Sequence, residues 1–376
     1  MRATVLRDPA LVKVARRFVW LDLDSEKAEN AAFLERYPVE VWPTFLVIDP
    51  EDETVALKWL GSGTIEQMKT LLLDGARAVR GGSGDEAENW LATADRLYGE
   101  GKEVEAADAF KQALAKGGPS WARRPRVVES LVLAQQAARR YEECAWLSRQ
   151  EAPTIPRGPS FANAVAIGLS CAVSAPENAG WRKPALAALE PLGLEAVKVP
   201  GLLADDRAGL YDVLASAREA EGDEAGARKL AEEYWVFLEE ERRVARSPSA
   251  RAALDPMRVG CALLLGDPAR AVPALQASER DFPSDYNPPA RLAILFGEMG
   301  KLDEALAASD RALARAYGPR KLRVLDQRAT LYEKRGDRAR ARSTLQEALA
   351  FAAKLPAAQR PGGLLQHIQS RLAGRD

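Results

Sequence analysis

The sequence is poor in the residues that most often do chemistry. It has three cysteines and one histidine among 376 residues. His367 has no nucleophile, base or metal partner patterned around it, and no Ser/His/Asp order can be assembled elsewhere. No Gly-x-Gly-x-x-Gly follows a strand pattern and there is no phosphate loop. Neither a cofactor nor a metal is therefore expected. Lys plus Arg number 53 against 54 for Asp plus Glu, a net charge of −1. That balance lacks the basic excess a nucleic acid or an anionic membrane would need. No apolar run reaches the 18 or so residues of a membrane-spanning helix. The N-terminal stretch MRATVLRDPALVKVARR has no uninterrupted apolar core of the kind a secretory signal requires. As written, the chain is expected in the cytoplasm.

The cysteines, Cys144, Cys171 and Cys261, stand far apart within helical patterns. A disulfide framework or a zinc site would want pairs at short spacing, so all three are expected to be small apolar core residues. Carboxylate pairs such as Glu232/Glu233 and Glu239/Glu240 fall on charged helix faces and are expected to be solvated. Tyr234, Trp235 and Phe237 are expected to pack a long helix against its neighbour.

What the chain does have is a folded composition, 47% apolar and 28% charged, with length for two domains. The first eighty residues alternate in type. Residues 9–17 read as the end of an amphipathic helix and FVWLDLD (18–24) as a short strand. Residues 26–37 are helical in composition, and VEVWPTFLVID (39–49) is a strand entered through a proline. After the turn chemistry of PEDE comes a return strand, TVALKWLG (54–61), and then a helix N-capped by Thr64.

This order, with Trp42-Pro43-Thr44 between a helix and a β-hairpin, resembles the thioredoxin superfamily entered just after its redox motif. The resemblance covers about 75 residues. It implies an α/β thioredoxin-like domain over 1–79 with a cis-proline at Pro43. It also implies Trp42, Pro43 and Thr44 as contacts to an extended peptide, with simple packing as the alternative for Trp42. The departure is chemical: residues 1–84 hold no cysteine, so the dithiol and its strand are missing. Two readings stay open. Either the strands at 18–24 and 44–49 pair directly in a reduced sheet, or Met1 is not the natural start. In the second case a Cys-x-x-Cys lies upstream and the protein is a thiol–disulfide oxidoreductase, periplasmic or secreted if a signal peptide precedes it.

Residues 80–86 (RGGSGDE) read as a linker. From 87 to 360 the chain is helical and repetitive. Residues 87–120 resemble the tetratricopeptide repeat, with Trp90 at the early aromatic position, Gly101 at the turn, Ala106 at the helix crossing and Phe110 four residues on. A turn residue followed five later by a small one recurs as Gly180/Ala185, Gly222/Ala227, Gly266/Ala271, Gly300/Ala305 and Gly336/Ala341. Arg139/Cys144 is a degraded version of the same pair. Two antiparallel helices need a permissive turn and a small residue where they cross. Six or seven hairpins of an all-α solenoid follow, with residues 361–376 as a C-terminal cap. The resemblance implies a scaffold whose partners are other proteins or peptides, gripped on its concave face. Residues 150–260 offer no positive sign of a hidden enzyme.

Overall fold

The computed structural model describes residues 5–39, 41–80 and 85–374. Most of the expected linker, residues 81–84, therefore lies outside the described residues. In chain order the elements begin with α1 (Val12–Ala15), α2 (Ala31–Arg36), β1 (Thr44–Ile48), β2 (Val55–Leu60) and α3 (Ile65–Val79). Then follow α4 (Glu86–Gly99), α5 (Glu103–Gly117), α6 (Arg124–Ala137), α7 (Tyr141–Glu151), α8 (Pro159–Val173), α9 (Arg182–Ala196), α10 (Ala204–Ala220) and α11 (Glu224–Val244). The remainder is α12 (Pro248–Ala252), α13 (Asp255–Leu264), α14 (Val272–Asp281), α15 (Asn287–Glu298), α16 (Leu302–Leu313), α17 (Gly318–Lys334), α18 (Arg338–Ala352) and α19 (Gly362–Leu372). Two compact units form. The first comprises residues 1–19 and 41–237, the second 20–40 and 238–376.

The hairpins have a common construction. Six of the seven turns carry a left-handed residue: Gly101, Arg139, Gly222, Gly266, Gly300 and Gly336, with φ between 56° and 80°. At each of them the following N–H closes back on the carbonyl five residues before the turn residue's successor, as in Lys102 to Leu97 (2.9 Å), Lys301 to Phe296 (2.8 Å) and Asp337 to Tyr332 (2.8 Å). This is the Schellman C-cap, which satisfies carbonyls the helix end leaves open. Arg139 adopts the same conformation at φ 56° and its turn makes the same bond, Arg140 to Gln135 at 3.0 Å. Gly180 lies outside the left-handed region, and α8 reaches α9 through a longer connection. Five residues beyond each turn, Ala106, Cys144, Ala185, Ala227, Ala271, Ala305 and Ala341 are all buried. Phe110 is buried edge-on to Tyr98, centroids 6.5 Å apart. Trp90, by contrast, is 36% exposed. In the first unit Tyr211 of α10 stacks on Tyr234 of α11, rings 5.3 Å apart and nearly parallel. In the second unit α19 closes the last hairpin, burying Ile368 with Leu322, Leu325 and Leu345.

The α/β part is smaller than expected. β1 and β2 pair antiparallel as a two-stranded sheet, and Thr64 caps α3 through a reciprocal capping box with Gln67. The hairpin turn is held by Asp49 accepting from the Glu51 N–H and Asp52 from the Thr54 N–H, both 2.9 Å. The sheet meets the helices at glycines: a Cβ on Gly75 of α3 or Gly99 of α4 would lie 2.6 Å from Val47 or Val55. The strand expected over 18–24 does not form, so it does not pair with β1. Val19, Trp20, Leu21 and Leu23 are exposed, so the segment buries no apolar face that would hold it as a strand. Asp24 instead folds the chain into a turn, accepting from the Glu26 N–H at 3.0 Å.

The expectation for the cysteines fails in one respect. Cys144 and Cys171 form a disulfide, Cα–Cα 6.2 Å, while Cys261 is free and buried. Short spacing matters in loops and metal motifs. Here two packed helices, α7 and α8, bring residues 27 apart into bonding range.

Candidate functional site

Three sequence-predicted residues, Trp42, Pro43 and Thr44, lead into β1. The Trp42–Pro43 peptide bond is cis. Trp42 is 56% exposed, and the Thr44 hydroxyl donates to the Val41 carbonyl at 2.6 Å. The Pro43 carbonyl accepts from the Gly61 N–H at 2.8 Å. In an antiparallel ladder this makes 43, 45 and 47 the positions bonded to β2. Thr44, Leu46 and Ile48 therefore turn their N–H and C=O groups outward. No other strand pairs with that edge among the described residues. The sheet's inner face is apolar: Val47, Leu57 and Trp59 are buried with Leu71 and Leu72 of α3.

In the first unit α3 lies against the helices that follow it. Gln67 donates to Glu129 of α6 at 3.2 Å, and Asn163 of α8 donates to the other Glu129 oxygen at 2.8 Å. Ser62 donates to Asp205 of α10, and Met68 is buried with Val5 and Leu11 against Leu203. Below them lies a charge cluster. Arg126 reaches Asp95 at 2.6 Å and Asp74 at 3.6 Å, Arg123 reaches Asp74 at 3.1 Å, and Arg77 reaches Glu88 at 2.7 Å. Burial pushes Asp95 up to about 6 despite Arg126 beside it. Three guanidinium groups face three carboxylates, so the cluster has no surplus charge with which to hold a charged ligand, and the cavity lined by Asp74, Arg77, Glu88 and Asp95 is only about 20 Å³. It ties α3, α4 and α6 to one another.

Asp206 is pushed up to about 8 by burial and then by the Asp205 and Glu129 carboxylates. The folded state thus holds a proton that the unfolded chain has released above its ordinary carboxylate value. Stability contributed by the neutral acid is complete at low pH and is lost as pH rises toward 8, by at most about 1.4 kcal/mol per pH unit. Asp206→Asn is expected to flatten that slope between pH 5 and 8 in urea titrations and to raise stability at pH 8. An unchanged slope would place the Asp206 proton elsewhere.

Among the described residues no helix is long and apolar enough to cross a membrane, and no group of three or more His, Cys, Asp and Glu could hold a metal ion.

Residues 286–354 match the tetratricopeptide repeat, and the hairpins there are α15/α16 and α17/α18. None of the curated proteins matches the chain. Among solved structures it is similar to a tetratricopeptide repeat protein from Parabacteroides merdae at 11% identity and a TM-score of 0.47, covering 76% of this chain and all of that one. It is also similar to the TPR2AB domain of yeast Sti1, solved in a complex with pHSP90, at 14% identity and a TM-score of 0.30, covering 78% and 99%. A third is an assembly chaperone of RpL4, at 13% identity and a TM-score of 0.31, covering 77% and 97%. Tetratricopeptide repeats are thus present over residues 286–354, within a longer run of helical hairpins.

Proposed function

We propose that this chain is a protein-interaction scaffold in which an extended partner segment adds as a strand to the outer edge of β1, entering beside Trp42, Pro43 and Thr44. The observation that carries the reading is the outward row of N–H and C=O groups on Thr44, Leu46 and Ile48. Unpaired edges of this kind recruit extended peptides through main-chain hydrogen bonds. Exposed Trp42 offers an apolar contact where the peptide enters. In this reading residues 5–19 and 41–79 of the first unit are a reduced thioredoxin-like module that uses the family's peptide-holding loop without thiol chemistry.

A competing occupant is a strand of the same protein bearing the dithiol that the resemblance implies. The two are separable. Leu46→Pro removes an outward N–H without breaking a bond to β2, a position where an edge strand tolerates proline. A photo-crosslinker at position 42 is expected to capture a partner in cells, and Leu46→Pro is expected to lower that yield at least tenfold at an unchanged melting temperature. Intramolecular crosslinks in place of partner crosslinks would favour the second occupant. Yields insensitive to proline would rule out strand addition.

A further inference from the structure

The second unit carries a built site filled by the chain's own acidic turn. Residues 24–27 close a turn, Lys27 N–H to the Asp24 carbonyl at 3.2 Å, tied by the Asn30 amide to the same carbonyl at 2.8 Å. The turn sits at the start of α17. Tyr317 donates its hydroxyl to Asp24, and Arg320 pairs with Glu26 and lies 3.6 Å from Asp24. The Arg320 guanidinium lies 5.4 Å over the Tyr286 ring and 5.0 Å over the Tyr317 ring, so its direction is fixed. From the other side buried Gln359 donates to two carbonyls of the turn, Ser25 at 2.9 Å and Lys27 at 2.7 Å. Gly318, at φ 53°, is packed so closely on the Glu26 carbonyl that a Cβ has no room.

Two features mark this as recognition rather than core. The first is charge. α17 opens Gly-Pro-Arg-Lys-Leu-Arg, with Arg320, Lys321 and Arg323 and no acid in its first turn. A helix N-terminus disfavours cations, and the incoming carboxylates of Asp24 and Glu26 relieve that conflict at Arg320. The second is how the plug is attached. The apolar residues leading to it, Trp20, Leu21 and Leu23, are exposed, so its release uncovers little buried apolar surface upstream. Its hold is polar and local, together with the packing of α2 beside residues 357–359.

We propose that Tyr286, Tyr317, Gly318, Arg320 and Gln359 form a docking site for an acidic turn of pattern Asp-x-Glu on a partner protein, occupied in cis by residues 24–27 until such a partner displaces them. The site is independent of the β1 edge. Its test uses the full chain and a fluorescent peptide of residues 20–39. The variant Asp24→Ser with Glu26→Ser empties the site in cis. The peptide is expected to bind it at least tenfold more tightly than wild type, adding Arg320→Ala is expected to abolish that gain, and a peptide carrying the same two serines should not bind. Equal binding to wild type and variant, no binding to the variant, or indifference to Arg320→Ala would overturn the proposal. Wild-type protein supplies a second readout that depends on no variant's folding. Excess unlabelled peptide is expected to speed hydrogen exchange at the Lys27 and Asn30 amides of the chain, and unchanged exchange would show that the plug is a fixed part of the fold.

Discussion

Arg126→Ala is expected to destabilise the first unit by about 3–5 kcal/mol, the cost of breaking a buried ion pair by removing one partner. Arg126 is buried on α6, within 2.6 Å of Asp95 on α4 and 3.6 Å of Asp74 on α3. Both carboxylates are buried too. Burial already raises Asp95 to about 6 with the guanidinium present, and raises Asp74 although three arginines act against it. Without Arg126, Asp95 loses its nearest cation and the hydrogen bond from it, and Asp74 loses one of the three arginines around it. They would take up protons, so the variant's deficit should shrink as pH falls from 8 toward 5. Replacing the pair together, Arg126→Met with Asp95→Leu, leaves no orphaned charge and is expected to cost less than the single change. Urea unfolding of the three proteins at two pH values checks this. A double variant as unstable as Arg126→Ala would mean that the pair acts by fixing the position of α3 and not by mutual neutralisation.

The repeat array was legible because its chemistry is local. A left-handed turn residue and a small residue five positions on are constraints the sequence displays openly, and Gly101/Ala106 through Gly336/Ala341 mark the observed turns. Arg139 was readable only from its context, since nothing about arginine announces a positive φ. Gly180 shows the opposite error: the spacing fits, but the connection takes another path. The edge of β1 was half legible. Strand, return strand and proline were all in the sequence, but FVWLDLD looked like a strand because its composition is β-rich. Composition does not reveal whether a segment's apolar side chains will be buried, and here those of Val19, Trp20, Leu21 and Leu23 are exposed. The acidic turn at Asp24 was missed altogether, since its partners Tyr317, Arg320 and Gln359 lie nearly 300 residues or more away. The unmatched basic run at the start of α17 was the one available sign. Long-range pairing also hid the disulfide.

That disulfide supports the second large effect. Cys144→Ala with Cys171→Ala is expected to cost about 3–4 kcal/mol, from the loop-closure entropy restored to the unfolded chain when a 27-residue link is cut. The packing cost should be small at one end, because Cys144 occupies the crossing position where the other six hairpins carry alanine. The bond ties the second helix of one hairpin, α7, to the first helix of the next, α8, so its loss weakens an interface between repeats. Those helices are in close contact: the buried Ser148 hydroxyl donates to the Ala164 carbonyl at 2.8 Å, and a Cβ on Gly168 would collide with Ser148. Both sulfurs are fully buried, so a reductant reaches them only when α7 and α8 part. Dithiothreitol in native buffer is therefore expected to leave the bond intact, and reduction should become rapid only near the urea midpoint. Thiol counting by alkylation and intact mass distinguishes the outcomes. One alkylated cysteine after denaturation without reductant would place the protein in an oxidising compartment. Three would mean that the pair stays reduced in its cells, and the double alanine variant should then match wild type in stability.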